Sequence, residues 1–166
     1  MKLQFTMSFV LAAGVFLTIV IYLTQRFEVK VTASAIGCLP ISYAVIDKNN
    51  TEPVREQLVS VLASNAEPLF ADGTNFLKLV AGVPGDRVVV TTKQVVVSNQ
   101  HYSREYNIDA SRMLSYLKWP PKNIERDFTV QEGELFLIGT LPQSFDSRYW
   151  GTAKETNVMG VGYAIF

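Results

Sequence analysis

From residue 3 to residue 25 the chain carries no charged side chain, and residues 9–23 are almost continuously apolar. A bilayer core about 30 Å thick is crossed by roughly 20 apolar residues in a helix, so this run is long enough. A cleaved secretory signal has a shorter apolar region of about 7–15 residues, with small residues at the cut. Here Thr24, Gln25, Arg26 and Phe27 follow and offer no such site. The run predicts an uncleaved, single-pass transmembrane helix, with residues 1–26 as tail and anchor and residues 27–166 as one folded domain. Lys2 stands on one side of the run, Arg26 and Lys30 on the other, so the positive-inside rule does not orient it.

The rest of the chain is long enough for one ordinary domain, and 48% of all residues are hydrophobic, so a sizeable core is available. Lysine plus arginine equals aspartate plus glutamate at fifteen each. Without a basic excess or stripe, binding that rests on phosphate neutralisation is not expected, and nucleic acid is set aside. The single cysteine excludes an internal disulfide, a redox pair and a zinc site built on several thiolates. No cofactor and no metal are expected. The single histidine, His101, sits in the polar stretch Asn99-Gln100-His101-Tyr102-Ser103 and reads as a surface residue of a turn.

Residues 27–33 alternate apolar and polar with period two, as a half-buried strand does. A second apolar stretch covers 43–46, and Asp47-Lys48-Asn49-Asn50 reads as a turn. Residues 54–63 fit either one face of a helix or a buried strand at 58–62. Strands are expected at 76–81, 88–90, 95–97, 128–130, 134–138 and 158–166, with Gly82-Val83-Pro84-Gly85-Asp86 as a break. A short helix is expected over 109–118, ended by Trp119-Pro120-Pro121. There is no internal repeat, linker or low-complexity tract.

Three short segments carry the possible chemistry. In Gly37-Cys38-Leu39-Pro40 the proline fixes φ two residues after the thiol and removes a donor. By itself Cys38 reads as a small buried apolar residue, the commonest role of a free cysteine. Ala35-Ile36-Gly37-Cys38 loosely matches a lipoprotein box, but Arg26, Glu28 and Lys30 separate it from the apolar run. Lys78, within Phe76-Leu77-Lys78-Leu79-Val80, reads by itself as a solvent-facing gatekeeper on an edge strand. An amine buried in such a setting is instead driven toward its neutral form and can serve as a base. In the third segment, 144–151, Asp146 and Arg148 can form a charge-assisted pair that fixes a loop.

Together and in this order the segments resemble the type I signal peptidase family, most closely its conjugative-transfer branch, which processes pilin subunits. The resemblance covers nearly the whole chain. It comprises the anchor, a nucleophile followed by an apolar residue and proline, the lysine box at 78–86 and the final box at 144–151. The stretch 134–139 also fits. It implies a mainly β, antiparallel domain behind one N-terminal transmembrane helix. It also implies Cys38 as nucleophile, Lys78 as general base, Ser144 orienting the lysine amine, and Asp146 and Arg148 bracing that loop. The backbone N–H of Cys38 then belongs to the oxyanion hole.

Two departures from the family pattern stand out: cysteine replaces the nucleophilic serine, and Ile36 stands where many members have a hydroxyl that helps the oxyanion. Ser34 is an alternative nucleophile, but no proline follows it at the required spacing. A thiol suits the task, being partly thiolate near neutrality with a pKa ordinarily near 8.5 and strongly nucleophilic. The resemblance further implies a bacterial inner-membrane protein in contact with lipid, its catalytic domain on the periplasmic or external side. The substrate is a pilin precursor or another exported protein, and some members of the branch join the pilin's own ends. The rival reading is a non-catalytic assembly protein of the transfer apparatus, descended from this family.

Overall fold

The computed structural model describes residues 2–31, 38–67 and 69–165, with side chains in the first helix from Val10 onward. That helix, α1, spans Lys2–Arg26. Along its apolar stretch the described side chains are exposed, Val10, Leu11, Val15, Phe16 and Leu17 among them. Among the described residues no helix is long and apolar enough to cross a membrane. The first part of the uncharged run, residues 3–9, lies outside the described side chains.

The remainder is mainly β, as expected, in two antiparallel sheets. The larger has seven strands in the order β1 (Phe27–Val31), β2 (Tyr43–Asp47), β11 (Val158–Ile165), β3 (Leu58–Leu62), β4 (Asn75–Gly82), β9 (Glu134–Ile138) and β10 (Ala153–Lys154). The smaller has four: β7 (Ser103–Tyr106), β6 (Val95–Ser98), β5 (Arg87–Val90) and β8 (Arg126–Thr129). One hydrophobic core joins them, with Val59, Val61, Val80 and Leu137 from the first sheet and Val88, Val90, Val95 and Val97 from the second.

Local chemistry explains the connections. Val83-Pro84-Gly85-Asp86 is a tight turn closed by the Asp86 N–H on the Val83 carbonyl at 3.0 Å. Proline supplies its first central residue, and Gly85, at φ +85°, the left-handed second one. The buried Asp86 carboxylate then accepts from Arg55 Nε and Nη2 at 2.6 Å each, from the Val83 N–H at 3.0 Å and from Asn99 Nδ2 at 2.8 Å. It thereby ties the loop before β3 to the turn that starts the second sheet. Burial opposes its charge, but these bonds, led by Arg55, hold the carboxyl below the usual range.

The two-way reading of 54–63 resolves as a strand over Leu58–Leu62, central in the sheet and paired with β4 and β11. The expected helix at 109–118 is α2, Ser111–Leu117. Asp109 Oδ1 accepts from the Ser111 N–H at 2.8 Å, and Lys118 ends the helix in a left-handed conformation. His101 is exposed in the turn between β6 and β7. Residues 32–33 of the first expected strand, Ser34 and Ile36 lie outside the described residues.

Candidate active site

Strand β4 lies between β3 and β9, so Lys78 is not on an edge and the gatekeeper reading fails. Its side chain projects inward on the same face as Phe76 and Val80 and is fully buried. Its Nζ lies 2.8 Å from Cys38 Sγ and 3.2 Å from Ser144 Oγ. Forty and sixty-six residues of chain separate the lysine from these partners, so only the fold brings the three together. The Phe76 ring centroid, 5.0 Å from Nζ, closes one side of the amine.

Cys38 is only partly buried, with the fully apolar Leu39 beneath it. The Leu141 N–H donates to the Cys38 carbonyl at 3.2 Å and so ties the Cys38 backbone to the loop that follows β9. Gly139 stands at the start of that loop. A Cβ there would press into Ser144 Oγ and come within 2.5 Å of the Cys38 carbonyl oxygen, so only glycine lets the two segments meet.

The loop itself is held by charge. Asp146 and Arg148 are both fully buried and pair in a bidentate manner, Nε to Oδ1 and Nη2 to Oδ2 at 2.8 Å each. Arg148 Nη2 also donates to the Ser144 carbonyl at 3.2 Å, and Nη1 reaches the Ile108 carbonyl at 3.4 Å. Asp146 caps the short helix α3 (Ser147–Trp150) by accepting from the Arg148 N–H, and its other oxygen accepts from the Gly139 N–H at 2.9 Å. Burial works against the Asp146 charge, but the Arg148 guanidinium, with help from Lys78 and the Gly139 N–H, holds its carboxyl below the usual range. The ion pair therefore fixes both Ser144 and Gly139, each of which lies against Cys38 or Lys78.

This arrangement suits nucleophilic catalysis: a nucleophile within reach of a base, and the base oriented by a third group. Among the described residues no cluster of potential ligands could hold a metal ion. Beside Cys38 opens a cavity of about 330 Å³, walled by Phe70, Phe76 and Phe145 on one side and α2 on the other. Sequence reasoning included Gly139 only as the end of the stretch 134–139 and gave it no role, and it passed over the cavity, whose walls come from four distant segments.

No curated protein matches the chain. A solved signal peptidase I from Enterococcus faecalis V583 is 25% identical, over 66% of this chain and 96% of its own, at a TM-score of 0.42. The family model for signal peptidase, peptidase S26, matches residues 2–166, and by that match across nearly its whole length the chain belongs to this family.

Proposed function

We propose that this chain is a membrane-anchored endopeptidase with a Cys38–Lys78 dyad, which processes a pilin precursor or another exported protein in conjugative transfer. The observation that carries the reading is the buried Lys78 amine, 2.8 Å from Cys38 Sγ and 3.2 Å from Ser144 Oγ. Cys38 Sγ attacks the scissile carbonyl and Lys78 takes the thiol proton. The C–N bond then breaks, Lys78 returns the proton to the leaving amine, and the acyl group remains on sulfur as a thioester. Water resolves it to a linear product, or the substrate's own amino terminus resolves it to a ring. Ser144 positions the amine, and Asp146 and Arg148 position Ser144. The backbone N–H of Cys38 serves the oxyanion.

Two observations support an anchor and a lipid neighbour. The uncharged run continues from α1's described residues back to Leu3. Next to it, direct cross-strand pairing sets Val31, Tyr43 and Ile165 in one row and Val29, Val45 and Tyr163 in the next, on one face of the sheet. Five of these six are exposed, an apolar surface of the kind that marks an interaction site. The rival, a non-catalytic assembly role, rests on the departures at Cys38 and Ile36, and the retained Lys78 and Ser144 speak against it.

The test is processing in membranes. A thiol reagent is expected to label Cys38 and block cleavage of the precursor, and Cys38→Ala and Lys78→Ala are each expected to abolish it while the protein still folds. Cys38→Ser retains some activity. Intact mass separates a linear product from a ring, which lacks one water. Normal processing by Cys38→Ala sinks the nucleophile assignment and turns attention to Ser34.

A further inference from the structure

Arg126 opens β8, an edge strand of the second sheet, where it pairs with Val90 of β5 just past the fully buried Ile124. The next residue, Asp127, is gripped by Arg87 Nε and Nη2 at 2.8 and 2.5 Å, so the backbone that carries Arg126 is fixed. The side chain reaches out of its own sheet, and its Nη2 donates to the Arg148 carbonyl at 2.6 Å. The last carbonyls of a helix lack partners within it, and in the four-residue α3 that of Arg148 is among them. The Arg126 guanidinium supplies the partner.

Arg148 is thereby held at both ends. Its side chain pairs with Asp146, reaches the Ser144 carbonyl and touches the carbonyl of Ile108, two residues past β7. Its own carbonyl rests on Arg126. The brace behind Ser144 therefore leans on the second sheet twice, once beyond β7 and once at β8.

Packing does not account for an arginine at 126. It is partly buried, forms no ion pair among the described residues, and its buried Nε has no hydrogen-bond partner among them. Burial lowers the pKa of its guanidinium. A cation withdrawn from water without a counter-charge costs free energy, so an apolar side chain of similar length would fill the place more cheaply. What the arginine adds is its donor to Arg148. It also lines an open groove of about 510 Å³ that shares no residue with the cavity beside Cys38, so its effect on Cys38 runs through the backbone.

We infer that Arg126 is a positioning residue of the proposed dyad: by holding the Arg148 carbonyl it fixes the segment that sets Ser144 against the Lys78 amine. The inference rests on the endopeptidase reading above and adds to it a residue outside the three segments that carry the chemistry.

The experiment measures how fast iodoacetamide alkylates Cys38 in the full-length protein in detergent micelles. Cys38 is the only cysteine of the chain, so intact mass reads the rate directly. Arg126→Met keeps the packing of the stem and loses the donor. It is expected to melt within about 4 °C of the unaltered protein and yet to alkylate about tenfold more slowly, a fraction of what a displacement of about 1 Å at reacting groups causes. Arg126→Ala is expected to slow as much and to regain rate with millimolar guanidinium chloride, because the vacated space opens on the groove; sodium chloride does not replace it. Arg126→Lys falls between. An unchanged rate for Arg126→Met overturns the inference, as does a slow Arg126→Ala that guanidinium leaves slow. An equal loss of rate in Val88→Ala, a core variant of the same sheet, makes the role merely structural and overturns it too. In each of these cases a slow Lys78→Met leaves the dyad standing, whereas a Lys78→Met that alkylates normally removes the dyad and the inference with it.

Discussion

Gly139 shows how little room the dyad has. A Cβ on it would run into both the Cys38 carbonyl and the Ser144 hydroxyl, and both of these residues reach the Lys78 amine with their side chains. Gly139→Ala is expected to lower kcat by about a hundredfold, because a displacement near 1 Å at reacting groups has that effect. Fold and membrane association are expected to persist, since the strain falls on a loop rather than on the shared core. Circular dichroism beside a processing assay checks this, and normal turnover by the alanine variant would show that the two segments have slack. Lys78 teaches a related lesson about sequence. Its apolar neighbours are equally compatible with an edge strand and with a central one, and only the pairing with β3 and β9 decides between them.

Among the elements, the short helix α3 and the loop before it depend on one buried ion pair. Removing one partner of such a pair strands the other charge, at about 3–5 kcal/mol. Arg148→Ala is expected to lower Tm by about 10 °C, and to reduce activity as Ser144 loses the bond to its carbonyl. The Asp146 carboxyl is held below its ordinary value in the folded protein, so its contribution is full above the unfolded value of about 3.9 and disappears as pH falls through the lower folded one. Melting curves taken from neutral to acid pH should show that loss, with a shallower acid limb for Asp146→Asn. Equal acid limbs would place the stabilisation elsewhere.

Most strands were legible because turns and β-branched runs marked them. Three features were not. Strand β3 is buried on both faces, with Val59, Ser60 and Val61 all enclosed, so it lacks the alternation that separates strand from helix. Strand β7 reads Ser-Arg-Glu-Tyr, a polar edge with little β signal, held by pairing to β6 and by the Tyr106 hydroxyl donating to Glu56. The cavity beside Cys38 has no spacing at all, being assembled from residues near 38, 70, 112 and 145. The residues of the proposed dyad and the Asp146–Arg148 pair each lie within a compact box of the sequence, whereas the meeting of Cys38, Lys78 and Ser144 is a property of the fold.

For the whole molecule, the proposed membrane anchor is what calls for a test. With α1 as the proposed anchor and the rows through Val31 and Val29 as a second apolar surface, two features act together. Full-length protein is expected in the membrane pellet and resistant to carbonate extraction. A variant lacking residues 1–26 is expected to fold and to bind vesicles only weakly and reversibly. Release of full-length protein by carbonate would remove α1 as a span.

No linker separates α1 from the sheet. The helix ends at Arg26, β1 begins at Phe27, and the Arg26 guanidinium is clamped on Asp47 of β2 at 3.1 and 2.7 Å and lies over the Phe27 ring. A domain on a flexible tether would sample many heights above the lipid, whereas one bolted directly to its post keeps Cys38 at a single elevation. On the proposed function the protein would then work as a gauge as well as a blade: which bond is cut would depend on how far it stands from the membrane as well as on the residues around it.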